Sequence, residues 1–493
     1  MLIVLLAYLS FVASIALRSS GDRQYSLPEE SITNRLEARI PVLMKTYGIP
    51  GVSLALIQQG KTVWSQAYGY ADLGTRRKMT VDTHCRVESI SKSVTAWGIM
   101  KLVEQGQIEL DKPVGTYIKN WVFPESRFSA ENVTVRRLLS HNAGMPLGTI
   151  GVRYAPGGEI PSLEESLTKE AVLRQEPGSS FSYSNTGFDL LELLIEEVTG
   201  RDFAEYMAAE VLSPLGMRNS SFVWSEDLTP AVPDGHDVQG NPIPVYVYPG
   251  KASGGLFATV GDIAAFVAAG MPSFARERHE VLSDRSIREL HAPMVKLTGY
   301  YGLAFDAYGL GHFIEKLSDG KTAVAHGGQG SGWMTHFHFV PETGDGIVIL
   351  TNSQRSWPFF AHVLSDWARW NGLPPLGMER ILLATRMLWA AIGLLFALAL
   401  WQIWRLGKGL AAGRRRLAPL AKASRLPRAT EGCLAAALGA GLWWAANQDY
   451  LFISAVFPRT IGWLGCSLLL AAIVLLLSGL CPCLRNRHGQ PIC

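Results

Sequence analysis

Ser89-Ile90-Ser91-Lys92 sets a hydroxyl and an amine three residues apart, just ahead of the apolar run Val94 to Met100. Three residues on a helix is nearly one turn, so both side chains leave the same face. A lysine held beside a serine and partly desolvated loses proton affinity until it can take the serine's proton. Serine catalysis also needs a proton path to the leaving group and donors for the developing oxyanion. Two later motifs offer those residue types. Tyr183-Ser184-Asn185 supplies a phenol that can shuttle a proton, provided a neighbouring cation favours its ionised form, and an amide that can donate to a substrate carbonyl or hold Lys92. His326-Gly327-Gly328-Gln329 supplies glycines that let a substrate backbone lie close against a strand. Each motif alone is commonplace: Ser91 and Ser93 suit a helix start, and Tyr183 suits a half-buried aromatic position. Their occurrence together and in this order makes Ser89, Lys92 and Tyr183 the candidate catalytic residues. Asn185, His326, Gly327, Gly328 and Gln329 are the candidate substrate and oxyanion contacts.

The elements that must position them follow from the apolar patterning. Ile32 to Tyr47 reads as a helix, and Val52 to Gln58 with Thr62 to Tyr70 as a hairpin across Gln59-Gly60-Lys61. Residues 95–295 are mostly helical and loop-rich. Alternation returns at Gly311 to Glu315, Trp333 to Val340 and Gly346 to Leu350, and a helix from about Pro358 to Asn371 closes the body. Strands at both ends with helices between imply one antiparallel sheet with an inserted helical region. His336 and His338 alternate with Phe337; with no third ligand nearby they read as a surface strand pair, and no metal site is expected. His141, in the turn Ser140-His141-Asn142, reads as a loop brace.

The net charge of +3 over 493 residues hides an asymmetry. Residues 381–493 hold 12 Lys/Arg against Glu431 and Asp449, whereas residues 21–380 hold 40 acidic groups against 32 basic ones. A basic end interleaved with apolar runs suggests a bilayer, and the acidic body argues against a nucleic-acid partner. Only Cys85 of the six cysteines lies in the body, which therefore relies on no internal disulfide. Residues 1–20 read as a signal peptide or N-terminal anchor. The breaker-rich stretch Asn371 to Gly377 precedes expected transmembrane helices at 379–404, 429–447 and 461–481. The intervening 405–428 carries eight Lys/Arg, which the positive-inside rule puts in the cytoplasm and the body outside, at a bacterial inner membrane.

The three motifs together resemble the class C β-lactamase and penicillin-binding-protein-like serine hydrolases, the group that includes D-aminopeptidases, D,D-peptidases and related esterases (peptidase S12 type). Ser89 to Lys92 is similar to their S-x-x-K motif, Tyr183 to Asn185 to their Y-x-N, and His326-Gly327-Gly328 stands where β-lactamases carry K-T-G. Val133 to Met145, Pro214 to Met217 and Ala252 to Leu256 also resemble landmarks of that family. The resemblance implies an α/β fold for residues 31–372, a β-lactamase/transpeptidase-like three-layer sandwich, ahead of the helical transmembrane region. It implies an acyl-enzyme on Ser89, backbone N–H donors from Ser89 and Gln329, and no cofactor. His326 and Gly327, in place of lysine and threonine, follow the peptidase and esterase branches. The membrane tail resembles the prodrug-activating peptidases that remove an acylated D-amino-acid cap. That branch prefers an acidic residue, a small hydroxyl and an asparagine where this chain has Arg86, Asn185 and Gly330. The expected activity is a membrane-anchored peptidase or amidase on D-amino-acid-containing or acylated peptides. An esterase, or a β-lactam or peptidoglycan sensor with little turnover, is the alternative.

Overall fold

The computed structural model describes residues 31–148, 150, 152–274, 281–418, 425–448 and 452–482. The expected leader lies outside these residues. The chain divides into two compact units, one running through the body to Arg380 and one that takes in the chain from Ile381 onward.

In the first unit, helix α1 (Ile32–Tyr47) leads into β1 (Gly51–Gln58) and β2 (Lys61–Asp72). These pair antiparallel through the tight turn Gln59-Gly60, where both residues take positive φ, 47° and 70°. That left-handed pair matches the twist of the flanking strands. The short β3 (Arg77–Lys78) edges the sheet. From the far end of the body come β4 (Val295–Lys296), β5 (Ala307–Tyr308), β6 (Phe313–Lys316), β7 (Thr322–Gln329), β8 (Met334–Val340) and β9 (Asp345–Thr351). The nine strands stand in the order β3-β2-β1-β9-β8-β7-β6-β5-β4, so β1 pairs directly with β9, Val52 opposite Thr351. The expected single antiparallel sheet built from both ends of the body is thus present.

Strand alternation sorts β8 between two layers. Phe337 meets Phe266 of helix α4 (Val260–Ala269) at 6.0 Å between centroids. His336 stacks on Phe360 at 5.8 Å and His338 meets Trp367, both of helix α5 (Trp357–Trp370). The surface reading of the two histidines is therefore overturned: both rings are fully buried between sheet and α5. Their four ring nitrogens have no hydrogen-bond partner among the described residues. The alternation is present, but α5 covers the face that a surface strand would turn to solvent. Arg35 and Arg39 of α1 both reach Asp366 of α5, at 3.0 and 2.9 Å, and tie that outer layer together.

Helix α2 (Ile90–Glu104) lies in the middle of the core, with all but a few of its side chains buried, and Trp97 packs against Phe266. The body closes with Leu373, Leu376 and Met378 buried against it, while the Gly377 N–H donates to Glu315 at 2.6 Å. Gly377–Ala411, which runs from the end of the body into the second unit, and Ile461–Leu480 are long and apolar enough to cross a membrane. The 22-residue helix Arg425–Ala446 lies between them in sequence. Removing Phe337 (Phe337→Ala) empties the contact between α4 and β8. It is expected to cost about 3–5 kcal/mol, read from denaturant unfolding of the hydrolase unit followed by tryptophan fluorescence.

Candidate active site

Ser89 stands at the N-terminus of α2 and stays partly accessible, whereas Lys92, one turn on, is fully buried. Lys92 Nζ lies 3.2 Å from Ser89 Oγ. It also donates to Asn185 Oδ1 at 2.7 Å and to the Ser253 carbonyl at 2.6 Å. An amine with three oxygen neighbours is fixed in place, and its lone pair, once deprotonated, is directed by those contacts. Burial pulls the Lys92 pKa down to about 7, against the opposing pull of the Asp189 and Glu88 carboxylates. Near neutral pH a large share of Lys92 is therefore free amine, the form that can accept a proton from Ser89.

Asn185 opens helix α3 (Asn185–Thr199), which Ser184 caps by accepting from the Gly187 N–H at 2.8 Å. This cap turns Tyr183 and Asn185 toward α2. Burial holds the Tyr183 phenol above its ordinary pKa, outweighing the opposite pull of the neighbouring Ser89 hydroxyl. Lys92 Nζ stands 5.0 Å from the centre of the Tyr183 ring. The condition set for an ionised phenol is not met here, because burial keeps the proton on the Tyr183 oxygen. A protonated Tyr183 is instead placed to donate.

His326 sits on β7, with its ring buried. Nδ1 lies 2.9 Å from the Gly327 carbonyl, which can only accept, so Nδ1 carries the proton. Nε2 then accepts from the Tyr308 hydroxyl at 3.0 Å. Desolvation, with Lys92 nearby, holds the imidazole well below its ordinary pKa and therefore neutral. A neutral ring with both nitrogens occupied cannot grip a substrate carboxylate as a cation would. Gly327 and Gly328 let β7 approach its neighbours closely: a Cβ at 328 would overlap the Val87 carbonyl. Gln329 follows, its side-chain oxygen held by Trp357 Nε1 at 2.7 Å. The structure thus gathers all eight expected residues around one helix end and one strand.

Several further residues belong to this neighbourhood. His141, at φ 54°, accepts from the Ser184 N–H at 3.1 Å and packs against Tyr183 at 4.2 Å between ring centres. Its expected bracing role extends to the tyrosine itself. Asp189, one turn after Asn185 on an otherwise apolar stretch, lies beside Lys92, and desolvation raises its carboxyl to about 6. An acid flanked by Phe188, Leu190 and Leu191 was the available sequence signal. Tyr301, stacked on Tyr183 at 5.8 Å, had none. Arg86 does not face substrate at all; it is fully buried and paired with Glu88 at 2.9 Å.

Comparison with known proteins agrees with this architecture. The Beta-lactamase family model matches residues 36–368. The chain belongs to the Beta-lactamase family. Its fold is shared with penicillin-binding protein homologues. The octameric penicillin-binding protein homologue from Pyrococcus abyssi is 29% identical, with TM-score 0.60, covering 70% of this chain and 78% of that one. A class C beta-lactamase shares the fold at 20% identity and TM-score 0.55, covering 65% of this chain and 91% of that one. Esterase EstB of Burkholderia gladioli is 30% identical over 231 residues, 44% of this chain and 58% of the esterase. Protein flp of Staphylococcus aureus (strain N315) is 28% identical over 198 residues, 39% of each. The chain therefore spans about two fifths to three fifths of the length of these curated relatives.

If free Lys92 is the form that works, acylation should speed up as pH rises through about 7 and level off above it. Below that point the rate should fall about tenfold per pH unit. Lys92→Met should lower acylation by about 10²–10⁴-fold and remove this limb; both are read from stopped-flow acylation with a chromogenic ester.

Proposed function

We propose that this chain is a membrane-anchored serine hydrolase that works through an acyl-enzyme on peptide-like amides next to a D-residue or an acyl cap. The observation that carries the chemistry is Lys92 Nζ, buried, 3.2 Å from Ser89 Oγ and held by Asn185 and the Ser253 carbonyl. Ser89 Oγ attacks the carbonyl carbon as Lys92 takes its proton. The backbone N–H groups of Ser89, at the positive end of α2, and of Gln329 receive the oxyanion. Tyr183 donates a proton to the departing group, drawing on the proton now held by Lys92. Water then attacks the ester with Lys92 and Tyr183 relaying in reverse, and Ser89 is released.

The neutral His326 supports the peptidase and esterase side over β-lactam hydrolysis, since no cation stands there to hold a β-lactam carboxylate. The EstB relative supports an ester reading of the same machinery. The two apolar helices support anchoring, and the eight basic residues of 405–428 support a cytoplasmic loop with the hydrolase unit outside; the basic Arg485 and Arg487 favour three spans over two.

A fluorophosphonate probe should label the wild type and not Ser89→Ala, and D-aminoacyl p-nitroanilides should turn over in preference to L-isomers. Equal turnover of both isomers with faster p-nitrophenyl ester cleavage would favour the esterase. A penicillin adduct that persists without turnover of any substrate would favour a sensor. A reporter fused after Arg416 should read as cytoplasmic; an extracytoplasmic signal would reverse the orientation.

A further inference from the structure

Glu88, directly before the proposed nucleophile, is an acid in a position that costs the backbone. It takes φ 51°, a left-handed conformation that residues with a Cβ adopt rarely. Its side chain does not reach solvent. Oε1 accepts from Arg86 Nε at 2.9 Å and from the Tyr246 hydroxyl at 2.8 Å, and Oε2 accepts from the Tyr248 hydroxyl at 3.3 Å. Arg86 in turn donates to the Tyr246 carbonyl and, at 3.1 Å, to the Gly254 carbonyl. Its guanidinium lies over the rings of Tyr246 and Tyr248 at 4.2 and 4.8 Å.

This buried cluster touches all three elements that define the reaction geometry. Glu88 and Ser89 share the peptide bond whose N–H is the first oxyanion donor. A Cβ on Gly330 would overlap the Glu88 carboxylate, so that side chain lies directly against the strand end carrying Gln329, the second donor. The Thr335 hydroxyl donates to the Val87 carbonyl at 2.7 Å and fastens the same segment to β8. Gly254, held by Arg86, adjoins Ser253, whose carbonyl accepts from Lys92.

We propose that Glu88 is a positioning residue: braced by Arg86, Tyr246 and Tyr248, it sets the separation between the Ser89 and Gln329 N–H groups and the seat of Lys92. The same geometry accounts for Gly330, where any larger side chain would enter the space the carboxylate fills. It also accounts for Arg86, which compensates a buried charge.

The test uses the full chain in detergent. Glu88→Ala should lower kcat on a p-nitrophenyl ester about 10²-fold, the scale of a misplaced oxyanion donor, with KM within about threefold. Because it strands Arg86 as a buried, unpaired charge, it should also lower the unfolding midpoint. Arg86→Met/Glu88→Ala removes both charges and should regain most of that midpoint while kcat stays low. In both variants, affinity for a boronic acid that forms a tetrahedral adduct on Ser89 should fall with kcat. Recovery of kcat together with the midpoint in the double variant would overturn the proposal, as would an unchanged kcat in Glu88→Ala. Loss of turnover in the wild type would instead count against the hydrolase chemistry itself.

Discussion

A single buried amine organises the catalytic unit. Lys92 leaves water at the first turn of a helix whose flanks are almost wholly apolar, and its partners come from segments 93 and 161 residues away. An ammonium group so placed is destabilised by desolvation, and the nearby Asp189 and Glu88 only partly offset this. The balance falls close to neutrality, which is where a proton acceptor for a serine is useful. The start of helix α3, the 253–254 turn and Ser89 all converge on that one nitrogen. A shift in any of them would either rehydrate the amine or remove an acceptor.

The sheet provides the rigidity this requires. Since β1 pairs with β9, the first and last segments of the body are neighbours, and the helical insertion is clamped between chain ends. Buried apolar side chains on both faces of β8 leave little freedom for β7 beside it. β7 therefore presents Gln329 from a fixed register, with Gly327 and Gly328 allowing its close approach. The arrangement differs from a site on mobile loops: each proposed catalytic group stands at the end of an element fixed by core packing.

Much of this was legible in the chain. The helix Ile32–Tyr47 has the bounds its apolar spacing implied, and the hairpin falls within two residues at each end. Strand β7 is not apparent from the sequence, because its glycines and histidine interrupt the β-branched signal of a strand. His336 and His338 show the opposite limit. Their alternation was plain, yet which face was wet depended on α5, whose place over that face is a tertiary fact. Arg86 looked like a departure in the substrate contacts; it proved to be half of an internal ion pair whose other half lies two residues on.

By itself, the order of residues determined which functional groups were present and in what succession: a serine and lysine one helical turn apart, a tyrosine and asparagine two residues apart, and a histidine followed by two glycines. Local backbone geometry suffices for that, since it depends only on near neighbours. The protonation of Lys92, the neutrality and fixed tautomer of His326, and the enclosure of Glu88 were decided by the tertiary structure alone. Each depends on water being excluded by groups remote in sequence, and desolvation acts through space rather than along the chain.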